Sequence, residues 1–118
     1  TLSGGQARRA ALAGTLACAT YAVVFDEATS GLDGKARSQM LHLARELANE
    51  GKAVLAITHD VSEWLPFADR VVFLEKGCVV ANVSVQEAQT NPQVYEVAQL
   101  DCPLFVSVLH ELLEACHV

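Results

Sequence analysis

Two acids and a histidine stand out by type and setting. Asp26 and Glu27 follow directly on the apolar run Tyr21-Ala22-Val23-Val24-Phe25, and His59 follows on the apolar run that starts at Ala53. Neighbouring side chains on an extended strand face opposite ways, so one acid can hold a metal while the other faces an attacking water. An acid pair at a strand end is more often a plain solvated terminus, and a lone histidine is more often structural. Neither feature decides anything alone. A third feature opens the chain, where Ser3-Gly4-Gly5-Gln6 precedes an alanine-rich run. Each glycine costs a helix up to about 1 kcal/mol relative to alanine. The compensation is access. Bare backbone N–H groups at a helix N-terminus approach an anion closely, and Ser3 adds a hydroxyl. The alternative is an ordinary capped helix, since Ser3 and Gln6 also match a capping box.

The elements that position these residues follow from pattern. Ala7 to Ala19 has high helix propensity, with Leu12 and Leu16 on one face, so a helix starts near Gly4. Tyr21 to Phe25 and Ala53 to Thr58 read as buried strands, with Asp26-Glu27 and His59 at their C-terminal tips. Between them Thr29 to Asp33 is a turn and Asp33 a plausible N-cap. A helix follows over 34–50, with Ala36, Met40, Leu43, Ala44 and Leu47 on one stripe and Gly51 as its stop. Pro66 limits the next helix to a short one. Val71 to Leu74 and Cys78 to Val83, joined by Glu75-Lys76-Gly77, read as a hairpin. A helical tail runs from about Val85, its last helix starting near Pro103. Strands separated by crossover helices imply an α/β fold with a mainly parallel sheet flanked by helices. Ligands of such sheets bind beyond the C-terminal strand ends, where Asp26, Glu27 and His59 converge from separate parts of the chain.

Composition narrows the classes. The chain has 118 residues, 52% hydrophobic and 19% charged, which excludes disorder and suits one domain. Its net charge of −6 leaves no basic excess to neutralise phosphates, which argues against nucleic acid. The longest uncharged stretch, Ala10 to Phe25, covers 16 residues and is too short and too alanine-rich for a membrane span. The opening shows no initiator Met, basic segment or apolar signal core. Cys18, Cys78, Cys102 and Cys116 lack C-x-x-C pairing and read as reduced thiols. A metal site from Cys102, His110, Cys116 and His117 is weighed against irregular spacing, which favours a helical tail with a solvated His-Glu face.

Taken together, the motifs are specific. Leu2-Ser3-Gly4-Gly5-Gln6 resembles the signature motif of ATP-binding-cassette (ABC) ATPases, and Tyr21 to Glu27 resembles their Walker B strand at the expected spacing. Ser30-Gly31-Leu32-Asp33 resembles the D-loop, and Thr58-His59-Asp60 the switch-histidine motif. Ala68-Asp69-Arg70 with Val71 to Leu74 and Lys76-Gly77 resembles the strand and turn beyond it. The match spans residues 2 to about 83 in unbroken order. Ala28 and Thr20 stand where many members carry Pro, and neither change removes a functional group. No G-x-x-x-x-G-K-[ST] phosphate loop, Q-loop or adenine-stacking aromatic is found. The chain is therefore expected to be the C-terminal portion of a P-loop NTPase-type nucleotide-binding domain, truncated on its N-terminal side, with a C-terminal hairpin and helical tail. Residues 1–84 would be that portion and 85–118 a C-terminal extension.

The resemblance implies roles. Asp26 would help hold Mg²⁺, Glu27 would orient or deprotonate the attacking water, and His59 would contact the γ-phosphate of ATP. Asp33 would couple the two sites of a dimer, and Ser3, Gly4, Gly5 and Gln6 would touch ATP bound by a partner subunit. It further implies an ATPase subunit that powers import, on the cytoplasmic side of the membrane, docked to transmembrane transporter subunits. His59-Asp60 and the Pro-Leu tail resemble energy-coupling-factor ATPases, which drive uptake of vitamins or of cobalt and nickel ions. This stretch alone is expected not to hydrolyse ATP, and to leave part of the apolar surface of Tyr21–Phe25 and Ala53–Thr58 exposed. Two other readings compete: a soluble ABC ATPase of the DNA-repair or chromosome-maintenance class, and a non-catalytic dimerising remnant. The D-E-A-T-S-G-L-D string and the lack of coiled-coil heptads oppose the first, and the presence of Glu27 and His59 opposes the second.

Overall fold

A computed structural model describes residues 21–116. The expected first helix and the Ser3-Gly4-Gly5-Gln6 segment lie outside the described residues. The chain divides into two compact units, with the boundary between Asp60 and Val61.

The first unit holds β1 (Ala22–Asp26), α1 (Gly34–Asn49) and β2 (Ala53–Ile57). The strands pair in parallel from Ala22↔Ala53 to Asp26↔Ile57, which needs a crossover, and α1 supplies it. Both ends of α1 carry local signals. The Asp33 carboxylate accepts from the Ala36 N–H at 2.8 Å. At the other end Gly51, at φ 94°, donates to the Ala48 carbonyl, and Lys52 donates to the Leu47 carbonyl. This is a Schellman stop, and only glycine enters its left-handed position without strain. The helix buries Met40, Leu41, Ala44 and Leu47. Leu41 thus takes the place expected of Leu43, which is half-buried. The apolar arc of α1 includes both leucines, and packing against the sheet selects the Leu41 edge.

The strands are covered on one face only, in line with the expectation that this stretch alone leaves strand surface open. Val23 and Phe25 are buried, whereas Val24 is 59% and Leu55 57% exposed. In register, Val24 and Leu55 share one face with Ile57, and among the described residues that face is open. A continuous apolar run does not distinguish a strand covered on one face from one covered on both.

The second unit starts with α2 (Val61–Trp64) and a 3₁₀ turn, Leu65–Phe67, where Pro66 ends the helix as expected. The antiparallel hairpin β3 (Arg70–Glu75) and β4 (Cys78–Ser84) follows, closed by Lys76 and Gly77 at φ 50° and 78°. Two positive φ values mark a type I′ turn, whose twist matches the strands. A bulge leaves Val80 without a partner between the Phe73↔Ala81 and Leu74↔Val79 pairs. The described residues therefore hold one parallel and one antiparallel pair. The fold is mixed α/β, and its parallel character is confined to β1 and β2.

Three helices complete this unit: α3 (Val85–Thr90), α4 (Gln93–Val97) and α5 (Leu104–Cys116). Ser84 caps α3 by accepting from the Glu87 N–H at 3.2 Å. Pro103 precedes α5 and its carbonyl accepts from Val106 and Ser107, so it sits one position before its expected place inside the helix. Phe73 and Val83 from the hairpin, Leu65, and Ala88, Val94, Tyr95, Ala98 and Val106 from the tail form one core. Phe73 and Tyr95 meet edge to face, with ring centres 5.2 Å apart. The buried Tyr95 hydroxyl donates to the Ala88 carbonyl. Burial, with a smaller contribution from Cys102, pushes the Tyr95 phenol up to about 12.

Cys78, Cys102 and Cys116 are free thiols. His110 engages the Thr90 carbonyl at 3.0 Å. His117 lies outside the described residues, among which no group of three or more His, Cys, Asp or Glu residues could hold a metal ion. No described helix is long and apolar enough to cross a membrane.

Candidate functional site at the strand tips

Parallel pairing of β1 with β2 places Asp26 beside Ile57, so the chain segments that follow both strands leave from the same edge. Glu27 is the first residue past β1. Its N–H donates to the Ile57 carbonyl at 2.9 Å, which carries the ladder one step beyond the strand. Its backbone is left-handed, at φ 48°. That conformation is uncommon for a residue with a long side chain. The expected opposite facing of Asp26 and Glu27 assumed extended backbone through both residues, and at Glu27 that condition does not hold.

The side chain of Glu27 meets His59, whose Nδ1 hydrogen-bonds Glu27 Oε1. An ionised carboxylate can only accept, so Nδ1 carries the proton and Nε2 is left for another partner. The His59 side chain is 92% exposed and Glu27 39% exposed, so the pair is reachable from solvent. Asp26 is exposed too, and among the described residues no hydrogen bond engages its carboxylate. One open carboxylate suits a hard cation such as Mg²⁺, which keeps several waters and takes one or two carboxylates.

Between the pair and α1 the chain makes two successive turns. Ser30 N–H donates to the Glu27 carbonyl and Leu32 N–H to the Thr29 carbonyl, both at 3.2 Å. Thr29 and Leu32 are buried and anchor the loop. Arg37, one turn into α1, donates from Nη2 to the Leu32 carbonyl at 3.2 Å. Asp33 is exposed, with one carboxylate oxygen engaged as the cap of α1.

The structure thus brings Glu27 and His59 together from positions 32 apart and sets Asp26 beside them. Sequence reasoning missed two supporting groups. One is the Ile57 carbonyl, which is a matter of strand register and has no side-chain signal. The other is Thr58, whose Oγ1 accepts from the Asp60 N–H at 2.9 Å. A hydroxyl residue two positions before an acceptor-seeking N–H is a recognised turn signal and could have been read.

No family model matches the chain. Curated proteins match nearly all of it. An energy-coupling factor transporter ATP-binding protein EcfA2 of Mycoplasmoides gallisepticum is 40% identical over 111 residues, 94% of this chain and 35% of that protein. An EcfA1 protein of Lactobacillus johnsonii is 40% identical over 114 residues, 96% of this chain and 40% of that protein. An EcfA2 protein of Methanospirillum hungatei is 36% identical over 111 residues, 94% of this chain and 28% of that protein. The chain spans about a third of the length of the relatives it matches. Over that span it is similar to the ATP-binding proteins of energy-coupling-factor transporters, in agreement with the motifs.

Proposed function

We propose that this chain is the C-terminal portion of the ATPase subunit of an energy-coupling-factor ABC transporter. Residues 1–84 would supply the signature, Walker B, D-loop and switch-histidine parts of the nucleotide-binding domain, and 85–118 its extension. The observation that carries the reading is the Glu27–His59 pair at adjacent parallel strand tips. Its setting matches the place where such sheets bind ligands.

In phosphoryl transfer the protein chiefly positions groups and stabilises charge. Glu27 holds the attacking water by accepting its hydrogen bond, and accepts its proton as the water oxygen bonds to the γ-phosphorus and the bond to the β-phosphate oxygen breaks, releasing ADP. His59, bonded to Glu27 through Nδ1, presents Nε2 to the γ-phosphate. Asp26 would hold Mg²⁺ through water, an ion that neutralises developing phosphate charge. Asp33 couples the two sites, and Ser3, Gly4, Gly5 and Gln6 meet the ATP of a partner ATPase subunit with backbone dipoles. The complete subunit works at the cytoplasmic face of the membrane with transmembrane partners, and vitamins or cobalt and nickel ions are the cargo classes. Without a phosphate loop, residues 1–118 alone do not turn over ATP.

The test is Glu27→Gln in the complete subunit. Hydrolysis is expected to fall by about 10²-fold or more, the scale of a lost general base, while ATP stays bound. Turnover at the parental rate would remove Glu27 from the chemistry.

A further inference from the structure

His59 is almost fully exposed, yet it meets one carboxylate oxygen of Glu27. An exposed imidazole on a flexible segment would spread over its rotamers and lose that contact. The restraint must come from the backbone on either side. On the near side it is visible: the Ile57 carbonyl is held by the Glu27 N–H at 2.9 Å. Beyond Ile57 the ladder between β1 and β2 ends. There the Thr58 hydroxyl accepts from the Asp60 N–H at 2.9 Å, closing a short turn that spans His59. The backbone before His59 is thus held by the ladder bond, and the Thr58 hydroxyl ties the turn across it.

We propose that the Thr58 hydroxyl is a positioning residue for His59. It sets the backbone from which the imidazole reaches Glu27, and it touches neither water nor phosphate itself. The chemical part rests on the reading of His59 as the γ-phosphate contact; the geometric part does not. Valine is nearly isosteric with threonine and lacks the acceptor, while serine retains it. That pair of substitutions separates the hydroxyl from the bulk of the side chain.

The experiment uses the complete subunit carrying Thr58→Val, Thr58→Ala or Thr58→Ser, with MgATP as the probe. Two readouts are taken: steady-state hydrolysis, and the imidazole nitrogen signals of His59 in long-range ¹H–¹⁵N spectra. Thr58→Val and Thr58→Ala are expected to lower kcat by about tenfold, the scale of one lost hydrogen bond, with KM for ATP unchanged. In both, the His59 signals lose the signature of a proton fixed on Nδ1. Thr58→Ser restores rate and signals. Parental rate and signals in Thr58→Val would overturn the proposal, as would an equal loss in Thr58→Ser. If the parental subunit hydrolyses no ATP, the phosphate-contact reading fails. The His59 signals of the three variants then decide the role of Thr58 on their own.

Discussion

Two residues with side chains hold left-handed backbone just past a strand: Glu27 after β1, at φ 48°, and Lys76 after β3, at φ 50°. The conformation costs each on the order of 1 kcal/mol. At Lys76 the reason is local. A two-residue hairpin needs positive φ at both positions, and Gly77 shares the turn. At Glu27 no hairpin follows. Its conformation accompanies an extra ladder bond to Ile57 and a carboxylate delivered to His59. The contrast extends to the regions around them. The hairpin is backed by Phe73, Tyr95, Leu65 and Val106, all buried almost completely. Around the strand tips the groups are polar, exposed and joined by a few hydrogen bonds. Strain in the hairpin serves the fold, whereas strain at Glu27 accompanies the contact with His59, which the proposed function makes part of a site.

That comparison can be broken in several ways, each in the complete subunit. The largest effect is expected from Glu27→Gly, which removes the backbone strain along with the carboxylate. Hydrolysis is expected to fall by about 10²-fold or more while the melting temperature holds or rises. A drop in melting temperature would mean that Glu27 stabilises the fold. Next comes Phe73→Ala in the hairpin core, expected to cost about 3–5 kcal/mol in urea unfolding. A cost under 1 kcal/mol would show that the core is not what holds the second unit.

Smaller effects sharpen the picture. Asp33→Ala removes the cap of α1 and is expected to cost about 1 kcal/mol, while Asp33→Asn retains it. If Asp33→Asn keeps stability yet loses communication between sites, the coupling role depends on charge and not on the cap. Tyr95 gives a pH signature. Its phenol is raised from 10 to about 12 in the folded chain, so the folded state holds that proton more tightly. Its stabilising contribution is complete below pH 10 and is lost as pH rises to about 12. Tyr95→Phe is expected to flatten alkaline unfolding in that window. The smallest effect is Lys76→Asn, which suits a type I′ turn and is expected to add about 0.5 kcal/mol without changing hydrolysis.

Features with local causes were legible in the sequence. The Asp33 cap, the Gly51 stop, the Pro66 break and the Lys76-Gly77 turn each depend on a few adjacent residues, and all four appear. The convergence of Glu27 and His59 was legible as well, because parallel strands order their tips in one way. What stayed hidden depends on packing or register. Leu41 and Leu43 lie on either side of one apolar arc, and only the sheet decides between them. Val24 and Leu55 belong to uniformly apolar runs that carry no record of which face is covered. The left-handed turn at Glu27 accompanies its bond to Ile57, and nothing near residue 27 announces it.

The central claim is that Glu27 and His59 act as one unit. A double-mutant cycle on ATP hydrolysis tests it directly, using Glu27→Gln, His59→Ala and both together. Residues that act as a unit lose their effect together, so the double variant is expected to be no slower than the slower single variant. If the two losses multiply instead, the residues work independently and the pairing seen between them is not the basis of the chemistry.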